Sequence, residues 1–482
     1  MMSRAMATLL ALAAVLFTTA APSAAGPSAF GPLYHEYQLT LREGERTELI
    51  GPLWNHERSP THAQWAFPPI LSWHAEFDTD FEEYDFLYPL LTYNRTGKDS
   101  RWQLFQLISF SSLSRQDAAP PAERTTIFPF YWSQRSPNPD ENYTALFPFY
   151  GQIKNRLLRD EIEFLLFPFY AKTRKHDVVT ENYLFPFFHV RHGEKLEGWQ
   201  FWPLAGLEKK EATRRQDGFG DETVIGGHEK LFVLWPFYHH TQTGLGTTNA
   251  QTHHAFLPFF ATERSAQREH RSVLWPFFYR TEDHGKKFVE YGAPWPFIVS
   301  TRGEAMNGGR FWPFYGQTRT STRTNEFLFA ALYRSSRSRA EPLERTHDRY
   351  LFFLYQDVHE RNTATGATAS RHALWPLFTH RRELDGTERL QLLAPLEPLL
   401  SGNAAIERNW SPLWALWRDE KNRKTGATSQ SLLWNLYRHD ETPESKNCSL
   451  LFGLLQYQKD GEGTRWRLFF IPFGPEARPA KP

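Results

Sequence analysis

The sequence has one cysteine, Cys448, so no disulfide can form within the chain, and no cysteine follows the N-terminal segment where a lipid anchor would attach. An exported chain of 482 residues without disulfides fits a bacterial envelope better than a eukaryotic secretory route. An excess of charge is also missing, because 55 Lys and Arg stand against 54 Asp and Glu. That balance argues against bulk attraction to nucleic acid or anionic lipid. After residue 25 no apolar run is long enough for a transmembrane helix. The chain has no Walker loop, dinucleotide fingerprint, nucleophile elbow or zincin motif, and its carboxylates are too numerous and scattered to pair for acid–base work. No catalytic residue, cofactor site or metal ligand is therefore nominated, and a carbohydrate- or lipid-active enzyme is the most distant reading.

What the sequence does have is aromatic side chains, 40 Phe, 19 Tyr and 17 Trp, which excludes a disordered chain and requires large rings to carry burial or meet a membrane interface. Residues 1–25 read as a signal peptide: Arg4, an apolar run from Leu9 to Phe17, then the small residues Ser23, Ala24 and Ala25 before Gly26. Four sequons, at Asn94, Asn142, Asn409 and Asn447, are weak signals in a chain of this length.

The strongest signal is an internal repeat. Its clearest copies are Ile127-Phe128-Pro129-Phe130-Tyr131, Leu146-Phe147-Pro148-Phe149-Tyr150, Leu166-Phe167-Pro168-Phe169-Tyr170, Leu184-Phe185-Pro186-Phe187-Phe188 and Leu234-Trp235-Pro236-Phe237-Tyr238. Seventeen copies keep the proline, including weaker ones at Pro32, Pro395 and Pro472, and six carry Gln106, Ala331, Phe353, Ala415, Asn435 or Gly453 in its place. These 23 copies recur with a mean spacing of 20 residues over 26–474, read as one β-repeat domain with a tail at 475–482. Rings and β-branched residues in one block per period, with polar residues between blocks, favour strands and turns. Mid-block proline argues strongly against a helical repeat. Each repeat is either one long strand or a hairpin, such as Phe169 to Arg174 outward, a turn near Lys175 to Asp177, and Val178 to Phe185 returning.

The fold expected is an all-β antiparallel up-and-down meander of tandem repeats. Closure into a large barrel of outer-membrane type is preferred over a stacked-hairpin or solenoid arrangement. In the barrel reading Phe147 and Phe149 face lipid, while Thr144, Gln152 and Lys154 face a lumen. Two features oppose it: the apolar block covers five to seven residues where a spanning strand needs about 9–11, and Leu, Pro and Tyr would sit at the centre of the inner face. The matching expectations of role are an outer-membrane envelope protein for passage, export or surface structure, with outer-membrane lipid or another envelope protein as partner. The alternative is a soluble periplasmic or surface scaffold that binds a partner through its polar turns.

Other polar features read as structural. The histidines His189, His192, His239, His240, His253 and His254 flank apolar blocks and suit a border between rings and solvent better than a metal site. The acidic run Asp78, Asp80, Glu82, Glu83 and Asp85 lacks the glycine-centred loop of a calcium site and reads better as a solvated strand end or turn. Arg280, Arg334, Arg418 and Arg438 follow the motif, positioned to cover rings, to line an anion-preferring pore or to end a buried segment. The longest interval, 33 residues from Pro203 to Pro236, holds a charged insert from Lys209 to Lys230. It is either a functional loop or a tolerated surface insertion.

Overall fold

The computed structural model describes residues 29–30, 33–114, 120–216, 222–400, 402–461 and 463–473. The signal-peptide reading of 1–25, Pro32 and the 475–482 tail lie outside the described residues. Among the described residues, forty-four strands form one antiparallel sheet in which each strand pairs with the next along the chain. A separate two-stranded sheet, Thr213–Gln216 with Glu222–Ile225, interrupts that order inside the charged insert.

The repeat is a hairpin. Tyr170–Lys175 runs out, His176 and Asp177 turn, and Val178–Tyr183 returns, with Lys175 opposite Val178. The aromatic block is not the middle of a strand, as an alternating-face reading of Phe147 and Phe149 requires. It is the reversal itself: Leu146 pairs with Tyr150 around Phe147-Pro148-Phe149, and Leu165 pairs with Tyr170 around Leu166–Phe169. Apart from Pro472, which pairs with Arg467 in the last strand, the described prolines of the repeat thus occupy turns or longer connections, where a residue without an N–H removes nothing from a ladder. At twelve of them, from Pro89 to Pro376, the preceding peptide bond is cis.

Two backbone solutions produce the same reversal. Four-residue turns that contain proline begin with a leucine at positive φ, as at Leu166 (φ 45°), Leu184 (φ 53°) and Leu234 (φ 50°). Where the proline is absent, two adjacent residues take positive φ, as at Phe105 and Gln106 (48° and 58°) or Leu351 and Phe352 (50° and 66°). A bulky residue held there costs about 1–2 kcal/mol. The cost is offset by bonds between neighbouring turns. The N–H groups of Leu166 and Phe167 donate to the carbonyls of Phe149 and Pro148, at 2.5 and 2.7 Å, and those of Leu184 and Phe185 donate to Phe169 and Pro168, both at 2.7 Å. The pattern recurs along the chain to Phe469, whose N–H donates to the Leu454 carbonyl. The turns are therefore hydrogen-bonded to one another as well as to their own strands.

Since the described strands of this sheet always reverse, the 43 connections between them alternate between two edges, 22 on the aromatic edge and 21 on the polar one. The sequence copies at Pro395 and Ala415 are not separate turns. Both lie in one long connection, because Leu392 pairs directly with Trp417. The intervening segment contains the short helices Ala404–Asn409 and Ser411–Trp414.

Below the aromatic edge, one row of side chains crosses strand after strand on the same face and repeatedly sets a ring against a small residue. Trp132 faces Ala145, Gly151 faces Phe164, Gly206 faces Phe232, Tyr279 faces Gly292 and Gly316 faces Phe327. A Cβ added at Gly206 would lie 2.3 Å from the Phe232 ring, so glycine is what admits the neighbouring ring. Trp132, Tyr143, Ala145, Ile153, Phe164 and Ala171 form a buried cluster in this row and its surroundings.

Barrel closure is corrected. Among the described residues no hydrogen-bonded ladder joins the first strand to the last. The two ends instead meet through side chains, with the rings of Phe30 and Phe470 4.6 Å apart and Gln456 donating to the Ala29 carbonyl at 2.9 Å. Strand edges need backbone partners in register to close, whereas these ends approach with side chains between them.

Candidate functional site: an aromatic rim and a charged seam

The meander places every aromatic turn on one edge, so the repeat creates a rim. Its rings are outward-facing, with Phe130 58 %, Phe149 54 %, Phe169 63 % and Phe259 57 % exposed. They form a connected series: Phe147 contacts Phe167, Phe167 contacts Phe185, Phe187 contacts Trp202 and Trp202 contacts Trp235, at 5.3 to 6.0 Å between ring centroids. Exposed apolar surface of this continuity exceeds what a soluble monomer usually carries and marks a contact surface. Away from the rim the strands turn polar on both faces, as in Tyr170–Lys175, where Lys172 and Arg174 alternate with Thr173 and Lys175. A six-residue strand is also only about 20 Å long, against a hydrocarbon core of about 30 Å.

The second candidate is the seam where the chain's ends meet. The helix Ala404–Asn409 carries Arg408 to the far end of the sheet, and its guanidinium contacts Asp85 at 2.6 Å, Glu83 at 2.5 Å and the Ser72 hydroxyl at 3.0 Å. Asn409 donates to Asp85 at 2.9 Å, and the Trp410 indole donates to the Tyr88 carbonyl at 3.2 Å. Further along, Arg438 lies 3.2 Å from the centroid of the Tyr37 ring, and Asn435 donates to Glu48. Arg46 bonds Glu48 at 2.9 Å and approaches Glu57 at 3.3 Å.

These charges border a polar cavity of about 570 Å³ that includes Arg46, Glu57, Arg389, Glu407 and Arg418. An apolar cavity of about 620 Å³, lined by Tyr88, Pro89, Pro376, Trp410 and Trp414, lies where the long connection meets the rim. Burial pushes the Glu48 carboxyl up, but Arg46 and Arg438 outweigh it, and the group ends below the usual carboxylate range. Burial and Arg438 together push His35 down to about 4. Arg418 is lowered by burial and by Arg389.

The acidic run is placed partly in this seam. Asp80 and Glu82 pair with Arg95, whereas Glu83 and Asp85 pair with Arg408, so the run is divided between ion pairs and Asp85 is wholly buried. A solvated strand end accounts for its first half only. Of the basic residues following the motif, Arg438 covers Tyr37, Arg280 lies 5.8 Å from the Tyr291 ring, and Arg418 donates to Gln391 at 3.0 Å. Arg334 is opposite Phe327. The sequon at Asn409 falls on a fully buried side chain.

The flanking histidines only partly converge. His240 and His254 are opposite each other with rings 5.7 Å apart, His239 faces Ala255 and His253 faces Thr241, while His189 faces Asn182 and Gln200 on another part of the sheet and His192 faces Val179 and Glu197. A different group does converge: Asp357, His359 and His372, whose ligand atoms all lie within 4.8 Å of one another. Sequence reading missed it because the residues belong to neighbouring strands. The available signal was the Asp-x-His spacing in Asp357–His359, with His372 returning after one polar turn. No known protein family matches the chain, and no curated protein is significantly similar to it.

Proposed function

We propose that this is an exported envelope protein that seats its aromatic rim in an outer-membrane lipid surface and holds the polar part of its sheet above it, in a surface-structural role. The observation that carries the reading is the difference between the edges: every described rim turn presents Phe, Trp, Leu or another apolar residue outward, as at Phe149, Leu166, Phe169, Trp235 and Phe277, while the opposite edge turns mainly on polar residues such as His176 and Asp177, with Phe77 and Leu157-Leu158 as exceptions. Trp, Tyr and Phe are the side chains that favour the membrane–water boundary. Fully burying one Phe or Leu contributes about 1.5–3 kcal/mol. Partial burial of a dozen such residues therefore outweighs the roughly 4–15 kcal/mol of lost freedom on association. Strand length and charge on both faces favour lying on the bilayer over spanning it. No described helix is long and apolar enough to cross a membrane.

Vesicles of phosphatidylethanolamine and phosphatidylglycerol with brominated acyl chains test the reading. The full chain floats with them, and the fluorescence of rim tryptophans such as Trp202, Trp235 and Trp275 is quenched; Phe149→Ser, Phe169→Ser and Phe237→Ser combined abolish both. A chain that stays in the aqueous fraction, or that hides its rim by pairing with a second copy, overturns it.

A second reading rests on the insert. The Thr213–Gln216 and Glu222–Ile225 hairpin branches from the polar edge, outside the main sheet, with Val224 and Ile225 exposed. That placement favours a scaffold binding a protein partner on the side away from lipid.

A further inference from the structure

On the strand Tyr355–Asn362, Asp357 and His359 are two residues apart and share a face. The paired strand Thr368–Leu374 sets His372 directly opposite Asp357, and the next strand sets His380 opposite His372. The His359 Nε2 is 2.9 Å and the His372 Nδ1 3.1 Å from one atom, Asp357 Oδ1. The rings of His359 and His372 lie 5.0 Å apart, and those of His372 and His380 are stacked at 5.8 Å.

On the other side of Asp357 stands a second carboxylate, Asp348, its direct partner in the strand Leu343–Tyr350. Like charges directly opposite on a sheet repel. Here neither is neutralised within the pair, and Asp348 Oδ1 and Asp357 Oδ1 are both buried without a well-formed hydrogen bond. The approach of two imidazole nitrogens to Asp357 Oδ1 is thus close without being directed as N–H donation requires.

We propose that Asp357, His359 and His372 bind a divalent transition-metal ion of the zinc class, with Asp348 as the adjacent carboxylate that completes or neutralises the site. Two imidazoles and one carboxylate form a ligand set for such an ion. Metal–ligand bonds of about 2.0–2.2 Å at tetrahedral angles separate the ligand atoms by about 3.4 Å. The observed 2.9 and 3.1 Å need to open by a few tenths of an ångström, and the two imidazoles, whose ligand atoms lie within 4.8 Å of each other, need to close toward the same value, both by side-chain rotation. A cation there also offsets the repulsion between Asp348 and Asp357 and gives the buried Asp357 Oδ1 a partner. The ion links two neighbouring strands a few residues below the rim.

The test is calorimetric titration of Zn²⁺ into the full chain after chelation and dialysis, with Co²⁺ added to a second sample as a spectroscopic probe. One Zn²⁺ per chain is expected, together with visible cobalt absorption bands. Asp357→Asn and His372→Ala should each weaken binding at least about tenfold and remove the cobalt bands. His253→Ala, on the same sheet but outside the cluster, should change neither. Circular dichroism of the metal-free variants checks the fold; if either unfolds, His359→Gln at the more exposed position replaces it under the same criterion. Failure to saturate at one ion per chain, or a folded cluster variant that binds like the unaltered chain, overturns the proposal.

Discussion

Between about residues 120 and 380 the side chains packed beneath the rim are rings set against Ala, Gly, Ser and Thr. Where residues 34–96 meet residues 381–441, they are Arg, Glu, Asp, Asn and His. In the first region the contacts stay with nearby hairpins, even where Arg156 reaches back to Thr126 and over the Trp132 ring, and Gly206 admits Phe232 or Gly316 admits Phe327 by the same size rule. In the second the contacts join residues more than 300 apart in sequence, such as Arg408 with Asp85 and Asn435 with Glu48. Repetition can extend a sheet indefinitely because each hairpin needs only its neighbours. It cannot say where the sheet stops or which distant strands meet. That decision falls to groups with directional, charge-specific partners, since a buried charge without its partner is strongly disfavoured.

The largest effect should come from breaking the seam at its most buried pair. Arg408→Ala leaves Asp85 buried with no cation, a change costing about 3–5 kcal/mol. Hydrogen exchange should show lost protection in residues 34–96 and 381–441 while the strands between Tyr150 and Leu374 keep theirs. Equal loss throughout would show that ends and middle are one cooperative unit and dissolve the contrast.

Acidification should act on the same region with a somewhat smaller effect. His35 is buried, and its pKa is pushed from 6.5 down to about 4 by burial and by Arg438. The folded state therefore binds its proton more weakly than the unfolded chain, so stability present above pH 6.5 is lost as pH falls toward 4. The shift corresponds to about 3 kcal/mol. Denaturation midpoints measured across that window should fall for the unaltered chain and flatten for His35→Gln; an unaltered slope in the variant would remove His35 from the account.

The smallest effect probes the middle. Gly206→Ala forces a methyl against the Phe232 ring and should cost about 1–3 kcal/mol by overpacking. Phe232→Leu in the same chain should restore part of the loss, whereas the seam, read from the proximity of Phe30 and Phe470, should not respond. A neutral Gly206→Ala would mean that this row of rings and small residues is loosely packed.

Much of the architecture was legible in the residues. The twenty-residue beat, the strand preference of its rings, the polar turn near Lys175 to Asp177 and the antiparallel meander all follow from local pattern. The place of the rings in the hairpin did not. Phe147-Pro148-Phe149 reads equally as a bent strand centre and as a turn, because proline interrupts both; the hydrogen bonds from each turn to the next decide between them. The rim follows from that choice, since turns on one edge expose rings that strand centres would have packed. The Asp357, His359 and His372 cluster was illegible for a related reason, as strand register is not written in either strand alone.

By itself, then, the sequence determined that this chain is a β repeat rich in rings, with local rules strong enough to specify each hairpin. Only the tertiary structure decided that the rings gather on one edge, that Pro395 and Ala415 bracket a single long connection, and that the ends meet through Arg408 and Asp85 without forming a closed ladder. The physical reason is one of range. Backbone propensity and turn chemistry act over a few residues, whereas the pairing of opposite charges across 323 residues depends on how small twists accumulate over many strands.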